Sequence, residues 1–402
     1  MIVSVVGLGY IGLPTAALLA SNNIQVFGMD VNEKVVDTIN KGQIHIVETD
    51  LLQHVQTSVA NKLLEANTFI KMADVYLVVV PTPFVNNFEP DISFVQNAVE
   101  AIIPLLKEDD LVIIESTSPV GTTDKMLQLI LESRPELNGS IKMAYCPERV
   151  LPGNIMEELV NNDRVIGGVD NTSTERAMSF YSKFVKGELF GTNARTAEMC
   201  KLVENASRDS QIAFANELSI ICDKANINVW ELIRLANKHP RVNILNPGCG
   251  VGGHCIAVDP YFIVSEFPFE SQIIAKAREV NNYKAFWVAE KIQNAILQYR
   301  IDNGIKPKVA LMGLAFKPNI DDLRESPAKY VAQKILQNTN NEDEIYFVEP
   351  NITSHSVFKL TPYQQAFDKA DIVAYLVAHN EFRNLENNTT TKVVLDFCGV
   401  SQ

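Results

Sequence analysis

Ile2-Val3-Ser4-Val5-Val6-Gly7-Leu8-Gly9-Tyr10-Ile11-Gly12 decides how this 402-residue chain is read. A short strand-like run is followed at once by three glycines spaced G-x-G-x-x-G, and a helical pattern opens behind them. That order suits a dinucleotide. The glycines allow a tight turn, close approach of a pyrophosphate and close helix–strand packing, while the helix N-terminus presents N–H groups to negative charge. The second strand ends at Asp30, 18 residues past Gly12, where a carboxylate accepts from both ribose hydroxyls and repels a 2′-phosphate. NAD is therefore expected over NADP, although Lys34, close by, pulls the other way.

Outward from this turn, further strand-length apolar runs lie at 24–29, 75–80, 111–115 and 141–145, with helical patterns such as 92–105 and 122–133 between them. Continuous apolar strands alternating with helices predict a parallel sheet covered on both faces. The middle changes character: residues 196–225 form one helical pattern without Pro or Gly, and 229–237 and 271–300 form two more. Strand runs resume at 309–312, 344–348, 372–378 and 393–397, and residues 73–80 echo residues 370–377. The expected fold is α/β, with two Rossmann-like parallel-sheet domains joined by a long central helix. The expected boundaries are 1–193 for the NAD-binding domain, 194–300 for the helical middle and 301–402 for the second Rossmann-like domain.

Composition narrows the function. The chain carries 35 Lys+Arg against 48 Asp+Glu, a net charge of −13, and is 47% hydrophobic. That is too apolar for disorder, and an acidic balance argues against nucleic acid and anionic membranes as partners. No run of about 18 apolar residues reads as a transmembrane helix. The strand at residue 2 leaves no room for a secretory leader, and six scattered cysteines without a CxxC pair fit reduced thiols, so a cytoplasmic protein is expected.

The chemistry-bearing residues follow the strand ends. Thr82 in Pro81-Thr82-Pro83 and Thr117 in Ser116-Thr117-Ser118-Pro119-Val120-Gly121-Thr122 offer hydroxyls at the crevice, or simply cap helices. Glu148, in Cys146-Pro147-Glu148-Arg149, ends another strand of the first sheet. Glu198, Lys201, Asn205 and Asp209 are spaced to share one helix face, and Lys201 with Asn205 makes a plausible oxyanion clamp of ammonium and amide. Among the cysteines, Cys255 alone has flanking glycines, a neighbouring His254 and a nearby Asp259, the setting of a nucleophilic thiol. Cys249, His254 and Cys255 lack a second ligand pair at zinc spacing, so no metal is expected. Lys317 and Arg324 are the cations of a later loop. They suit phosphate or carboxylate groups, or pair locally with Asp321, Asp322 or Glu325.

Taken together, GLGYIG at 7–12, PTP at 81–83, STSPVGT at 116–122, PERV at 147–150, the helix 198–209, GVGGHC at 250–255 and FKPNIDDLRESP at 316–327 resemble the UDP-glucose/GDP-mannose dehydrogenase family, over nearly the whole chain. The resemblance implies an enzyme that oxidises C6 of a UDP-sugar to a carboxylate with two NAD. Cys255 would attack the C6 aldehyde, giving a thiohemiacetal and then a thioester. Lys201 and Asn205 would stabilise oxyanions, Asp259 with Thr117 would position water, and Glu148 would assist acid–base transfer. Carried over in the same way, Gly7, Gly9, Tyr10, Ile11, Gly12, Asp30, Lys34, Thr82, Thr117 and Arg324 would hold NAD. Glu148, Arg149, Val150, Lys201, Asn205, Arg241, Gly252, Tyr261, Phe316 and Lys317 would hold the UDP-sugar. The 301–402 domain would then be the UDP-sugar-binding one. The family's habit of pairing through the central helix implies a homodimer, with Arg241 reaching the partner.

Residues 243–247 leading into GVGGHCIAVDP, and CPERVLPG at 146–153, look most like the branch acting on UDP-N-acetylmannosamine. UDP-glucose members usually carry Ser where His254 stands, Phe-Pro-Lys where Ile256-Ala257-Val258 stands, and an Arg-Glu pair where Leu151-Pro152 stands. Within the resemblance, these lost charges imply an N-acetylated sugar. Another UDP-sugar (UDP-N-acetylglucosamine or UDP-glucose), a one-step 3-hydroxyacid dehydrogenase and a non-catalytic nucleotide-sugar sensor are the alternatives.

Overall fold

The structure, a computed structural model, describes all residues except 47, 86–88, 151–152, 254, 339–343, 384, 386–391 and 402. Leu151, Pro152 and His254, weighed above, lie outside the described residues. The chain divides into two compact units, Met1–Glu204 and Asn205–Gln402. The division falls inside the helix Ala194–Ala225, so the helical middle is split between the units.

The first unit carries β1 (Ile2–Val6), β2 (Gln25–Met29), β3 (Leu64–Asn67), β4 (Val75–Val78), the short hairpin β5 (Phe84–Val85) and β6 (Glu89–Pro90), β7 (Leu111–Ile114), β8 (Lys142–Tyr145), β9 (Arg164–Gly168) and β10 (Leu189–Asn193). Its main sheet has the order β10-β9-β8-β7-β4-β1-β2-β3, parallel at every pairing except β8 with β9. Alternation sends Val3, Val5, Val75, Leu77, Leu111 and Ile113 into one core and Val6, Tyr76, Val78, Val112 and Ile114 into a second. Period-2 side chains thus fill both faces, which is why these strands read as unbroken apolar runs. The sequence reading missed β3, β9 and β10. β3 is half polar (Leu-Glu-Ala-Asn), β9 opens on a charge, and β10 exposes most of its residues at the sheet edge.

The second unit carries β11 (Val309–Met312), β12 (Ile345–Val348), β13 (Ile372–Tyr375) and β14 (Val393–Asp396), all parallel, in the order β12-β11-β13-β14. The echoed segments hold β4 and β13, which occupy the same place: each pairs with the first strand of its sheet, on the side away from the second. The turns repeat as well. Gly7 (φ +98°) donates to the Met29 carbonyl at 2.8 Å, and Gly313 (φ +99°) to the Val348 carbonyl at 2.9 Å. The next N–H of each turn goes to the carboxylate ending the second strand, Leu8 to Asp30 at 3.1 Å and Leu314 to Glu349 at 2.8 Å. In the second unit that carboxylate is further engaged, by Ala315 N–H at 2.8 Å and His379 Nε2 at 3.1 Å. Burial raises the Glu349 pKa, but these hydrogen bonds outweigh it and hold the carboxylate below its ordinary value. Among the described residues no helix is long and apolar enough to cross a membrane.

Candidate active site

In the first unit, β1, β4, β7 and β8 run in one direction, so the residues that follow them gather at one edge of the sheet. The glycine turn is built for close approach. A Cβ on Gly7 would stand 2.3 Å from the Val79 carbonyl oxygen and one on Gly12 1.8 Å from the Gly7 oxygen, whereas one on Gly9 would meet nothing within 4 Å. Gly7 and Gly12 are thus closed by the protein's own backbone and Gly9 is open. No side chain caps the helix Gly12–Ser21; Leu13 N–H already donates to the Gly9 carbonyl at 3.1 Å and Thr15 N–H to the Ile11 carbonyl at 3.0 Å, and Pro14 has no N–H, so among the described residues Gly12 N–H is the group of the first turn left for an anion. Asp30 is half-buried at the turn and accepts from Leu8 and Asn32 N–H. These residues fit the pyrophosphate and ribose of NAD. Tyr10 is exposed and Ile11 half-buried on the same turn, and the exposed Lys34 lies in the first turn of the next helix.

Gly9→Ala is therefore expected to leave thermal unfolding unchanged while weakening NAD binding about tenfold or more, since the methyl enters the pyrophosphate's space. Gly12→Ala is expected to lose about 1–3 kcal/mol of stability by overpacking. Calorimetric NAD titration and a thermal melt separate the two; identical behaviour of both variants would contradict the packing described.

Ser116 Oγ ties the two strand-end loops together, accepting from Val80 N–H at 2.9 Å and donating to the Val80 carbonyl at 2.7 Å. Ser118 and Thr122 donate to loop carbonyls. The N-terminus of the helix Thr122–Ser133 is capped by Glu198, which accepts from Gly121 N–H at 2.5 Å and Thr123 N–H at 2.8 Å. Bonds within and between the loops thus explain the loop's other hydroxyls and capping explains Glu198, but neither accounts for Thr117, nor for Thr82 on the neighbouring loop. Both are half-buried with hydroxyls unpartnered among the described residues. Lys201, half-buried, has no carboxylate partner among the described residues.

Glu148 follows β8 with both oxygens occupied, one by Arg149 N–H and one by Arg164 Nη1 at 3.3 Å. Arg149 pairs with Glu204 at 2.8 Å, and Val150 packs against the core. Glu48 accepts from Gly153 and Ile155 N–H, both at 2.9 Å, anchoring the segment after Glu148. Neither Arg164 nor Glu48 was singled out from the sequence. A charge at the head of an apolar strand was the available signal for the first.

In the second unit, Cys255 is exposed on a tight turn whose carbonyl accepts from Val258 N–H at 3.0 Å and Asp259 N–H at 2.8 Å. Asp259 is buried at the start of the helix Asp259–Glu266 and accepts from Asn205 Nδ2 at 2.5 Å. The amide expected to clamp an oxyanion and the carboxylate expected to position water thus touch. The glycines before the thiol are explained by neighbours: a Cβ on Gly252 would stand 2.3 Å from the Glu325 oxygen, and one on Gly253 2.9 Å from the Phe316 ring. Phe316 and the exposed Lys317 line a cavity of about 490 Å³ shared with Arg208, Asn246, Arg383 and Pro247. Arg324 pairs with Asp322 at 2.7 Å, the local pairing weighed above. Tyr261 accepts from Asn282 Nδ2 at 3.0 Å, and Arg241 is exposed. Asp209, on the same helix face by spacing, is buried against Arg278 at 2.6 Å and Asn281 at 2.8 Å.

Three family models match in chain order: the UDP-glucose/GDP-mannose dehydrogenase family NAD binding domain over residues 1–185, its central domain over 195–283 and its UDP binding domain over 310–402. The UDP-N-acetyl-D-mannosamine dehydrogenase of Escherichia coli (strain K12) is 51% identical over 417 residues, covering 99% of this chain and 98% of that protein. The chain belongs to this family. It is an NAD-binding oxidoreductase with the family's parallel-sheet fold. An NDP-N-acetyl-D-galactosaminuronic acid dehydrogenase of Ralstonia nicotianae is 49% identical, covering 99% of this chain and 96% of that one. Among solved structures, the UDP-D-ManNAc dehydrogenase of Pyrococcus horikoshii superposes with a TM-score of 0.88 at 35% identity, covering 100% of this chain and 96% of that one.

Proposed function

We propose that the chain oxidises C6 of UDP-N-acetyl-D-mannosamine to the carboxylate of UDP-N-acetyl-D-mannosaminuronate, using two NAD and one thiol. The observation that carries the chemistry is Cys255, an exposed thiol on a glycine-shaped turn, with Asp259 hydrogen-bonded to Asn205 in the same unit. The choice of sugar rests on the 51% identity to the E. coli enzyme. Lys317 and Arg208 in the cavity of about 490 Å³ take the diphosphate, an anion that the net charge of −13 would otherwise repel.

NAD supplies the hydride acceptor at both oxidations. In the first, the C6 alcohol loses a hydride and a proton and becomes an aldehyde, with Glu148 receiving the proton. The Cys255 sulfur then adds to the aldehyde carbon, and the carbonyl oxygen becomes the hydroxyl of a thiohemiacetal. Loss of a second hydride and proton gives a thioester. Water, positioned by Asp259 and Thr117, adds to it; the C–S bond breaks and the thiol is restored beside a C6 carboxylate. Lys201 and Asn205 hold the oxygen that gains charge in the tetrahedral states. Holding the aldehyde covalently is what allows two oxidations at one carbon.

The chain acts in a cytoplasm that keeps Cys255 reduced, and as a homodimer. Phe214 and Ile221, exposed on the long helix, are apolar residues such pairing would cover. NADH formed per sugar nucleotide consumed tests the reaction class. Two are expected with UDP-N-acetyl-D-mannosamine; one would support the one-step alternative. The same assay with the N-acetylglucosamine, N-acetylgalactosamine and glucose nucleotides tests the sugar.

A further inference from the structure

Arg164, the first residue of β9, is 4% exposed. Its Nη2 donates to the Leu159 carbonyl at 3.3 Å, its guanidinium lies 5.2 Å from the centre of the Tyr181 ring, and its Nη1 donates to Glu148 at 3.3 Å. Burying a guanidinium is costly unless an anion answers it. Two carboxylates are near. Glu115, at the end of β7, is 3% exposed; its Oε1 accepts from the Tyr181 hydroxyl and its Oε2 has no partner. Glu148 is the shallower of the two, yet it receives the ion pair. A purely structural arginine would be expected to neutralise the deeper acid. Here the buried cation is aimed outward, at the carboxylate on the functional edge of the sheet.

We propose that Arg164 is a positioning residue for Glu148, fixing its carboxylate in one orientation as a proton acceptor, with Glu115 as the internal competitor for the same cation. The proposal rests on the acid–base reading of Glu148 above. Of the groups packed around the pair, burial pushes the Cys146 thiol up to about 12 and the Tyr181 hydroxyl well above its ordinary value, so both stay neutral near pH 7. Burial also raises Glu115, to about 7, against the pull of Arg164. Arg149 is engaged by Glu204. Glu115 is therefore the neighbour whose charge changes in the working range.

The test compares Arg164→Lys, Glu115→Gln and Glu148→Gln in the full chain, with kcat, KM and the pH profile of kcat measured for UDP-N-acetyl-D-mannosamine. A lysine cannot reproduce the planar fork. Arg164→Lys is expected to lower kcat on the order of ten- to a hundredfold with KM nearly unchanged, as misplacement of a reacting group does. Its acid limb is expected to move to higher pH, because the shorter lysine holds its ammonium farther from the carboxylate than the guanidinium stands. Glu115→Gln is expected to move the limb the other way, since Arg164 then serves Glu148 alone. A folded Arg164→Lys with wild-type kcat and limb, beside an impaired Glu148→Gln, overturns the proposal and leaves the reading of Glu148 standing. A Glu148→Gln enzyme with wild-type kcat overturns both. If Arg164→Lys does not fold, an unmoved limb in Glu115→Gln overturns the proposal alone.

Discussion

Replacing Cys255 by serine is expected to abolish net turnover, lowering kcat on the order of a thousandfold or more, while NAD binding measured by calorimetry stays as in the parent. Removing a covalent nucleophile costs more than removing any group that only assists it, because the remaining residues act on an intermediate that no longer forms. The second oxidation has no route without the C–S bond, and an alkoxide from serine is far harder to generate near pH 7 than a thiolate. The buried thiols Cys146 and Cys249 offer no rescue: burial pushes both up to about 12, so they are protonated as well as inaccessible. Iodoacetamide should accordingly inactivate the parent with the label on Cys255. Steady NADH production by Cys255→Ser at parental rate would rule out thiol catalysis.

The second large effect is on stability. Arg278→Met is expected to destabilise the second unit by about 3–5 kcal/mol, the range for removing one partner of a buried ion pair. Arg278 and Asp209 are 2.6 Å apart, and their side chains are 4% and 1% exposed. Asn281 donates to Asp209 and Asn216 donates to Asn281, while Asn216 Oδ1 also receives Gly248 N–H at 2.9 Å. The pair therefore ties the long helix and the helix Gln272–Asn303 to the loop before Cys255. Burial already raises the Asp209 pKa against the pull of Arg278. Without the arginine it rises further, so the folded state holds a proton that the unfolded state releases. The variant's stability is then expected to fall as pH rises. Urea unfolding followed by tryptophan fluorescence reads this directly, because both tryptophans, Trp230 and Trp287, lie in the second unit. A loss under about 1 kcal/mol would mean the pair is not what holds these helices. Replacing both partners by apolar residues is expected to recover much of the loss.

The two cases differ in how far the sequence disclosed them. Cys255 was legible because its surroundings are written locally: glycines, an acid four residues on and a proline behind it. Asp209 was placed on one face with Lys201 and Asn205, but its burial was not legible, because helix spacing gives direction but not what stands opposite; Arg278 is 69 residues away. Glu198 was hidden in the same way, its hydrogen-bond donors lying at Gly121 and Thr123.

Local rules alone determined the glycine turn, the carboxylate at Asp30 behind it, the NAD cofactor and the parallel-sheet class, and they marked Cys255 as the candidate thiol. Backbone sterics, the helix N-terminus and period-2 burial act over a few residues and leave their mark in order along the chain. The echo of 73–80 in 370–377 was visible too, but only the strand pairings made it a repeat of position. Tertiary structure decided which carboxylates are functional candidates and which are caps or buried pairs. It closed Gly7 and Gly12 with backbone and left Gly9 open, and it set Arg164 against Glu148 rather than Glu115. Those outcomes depend on desolvation and on partners brought together by the fold, and neither quantity is encoded at any one position of the chain.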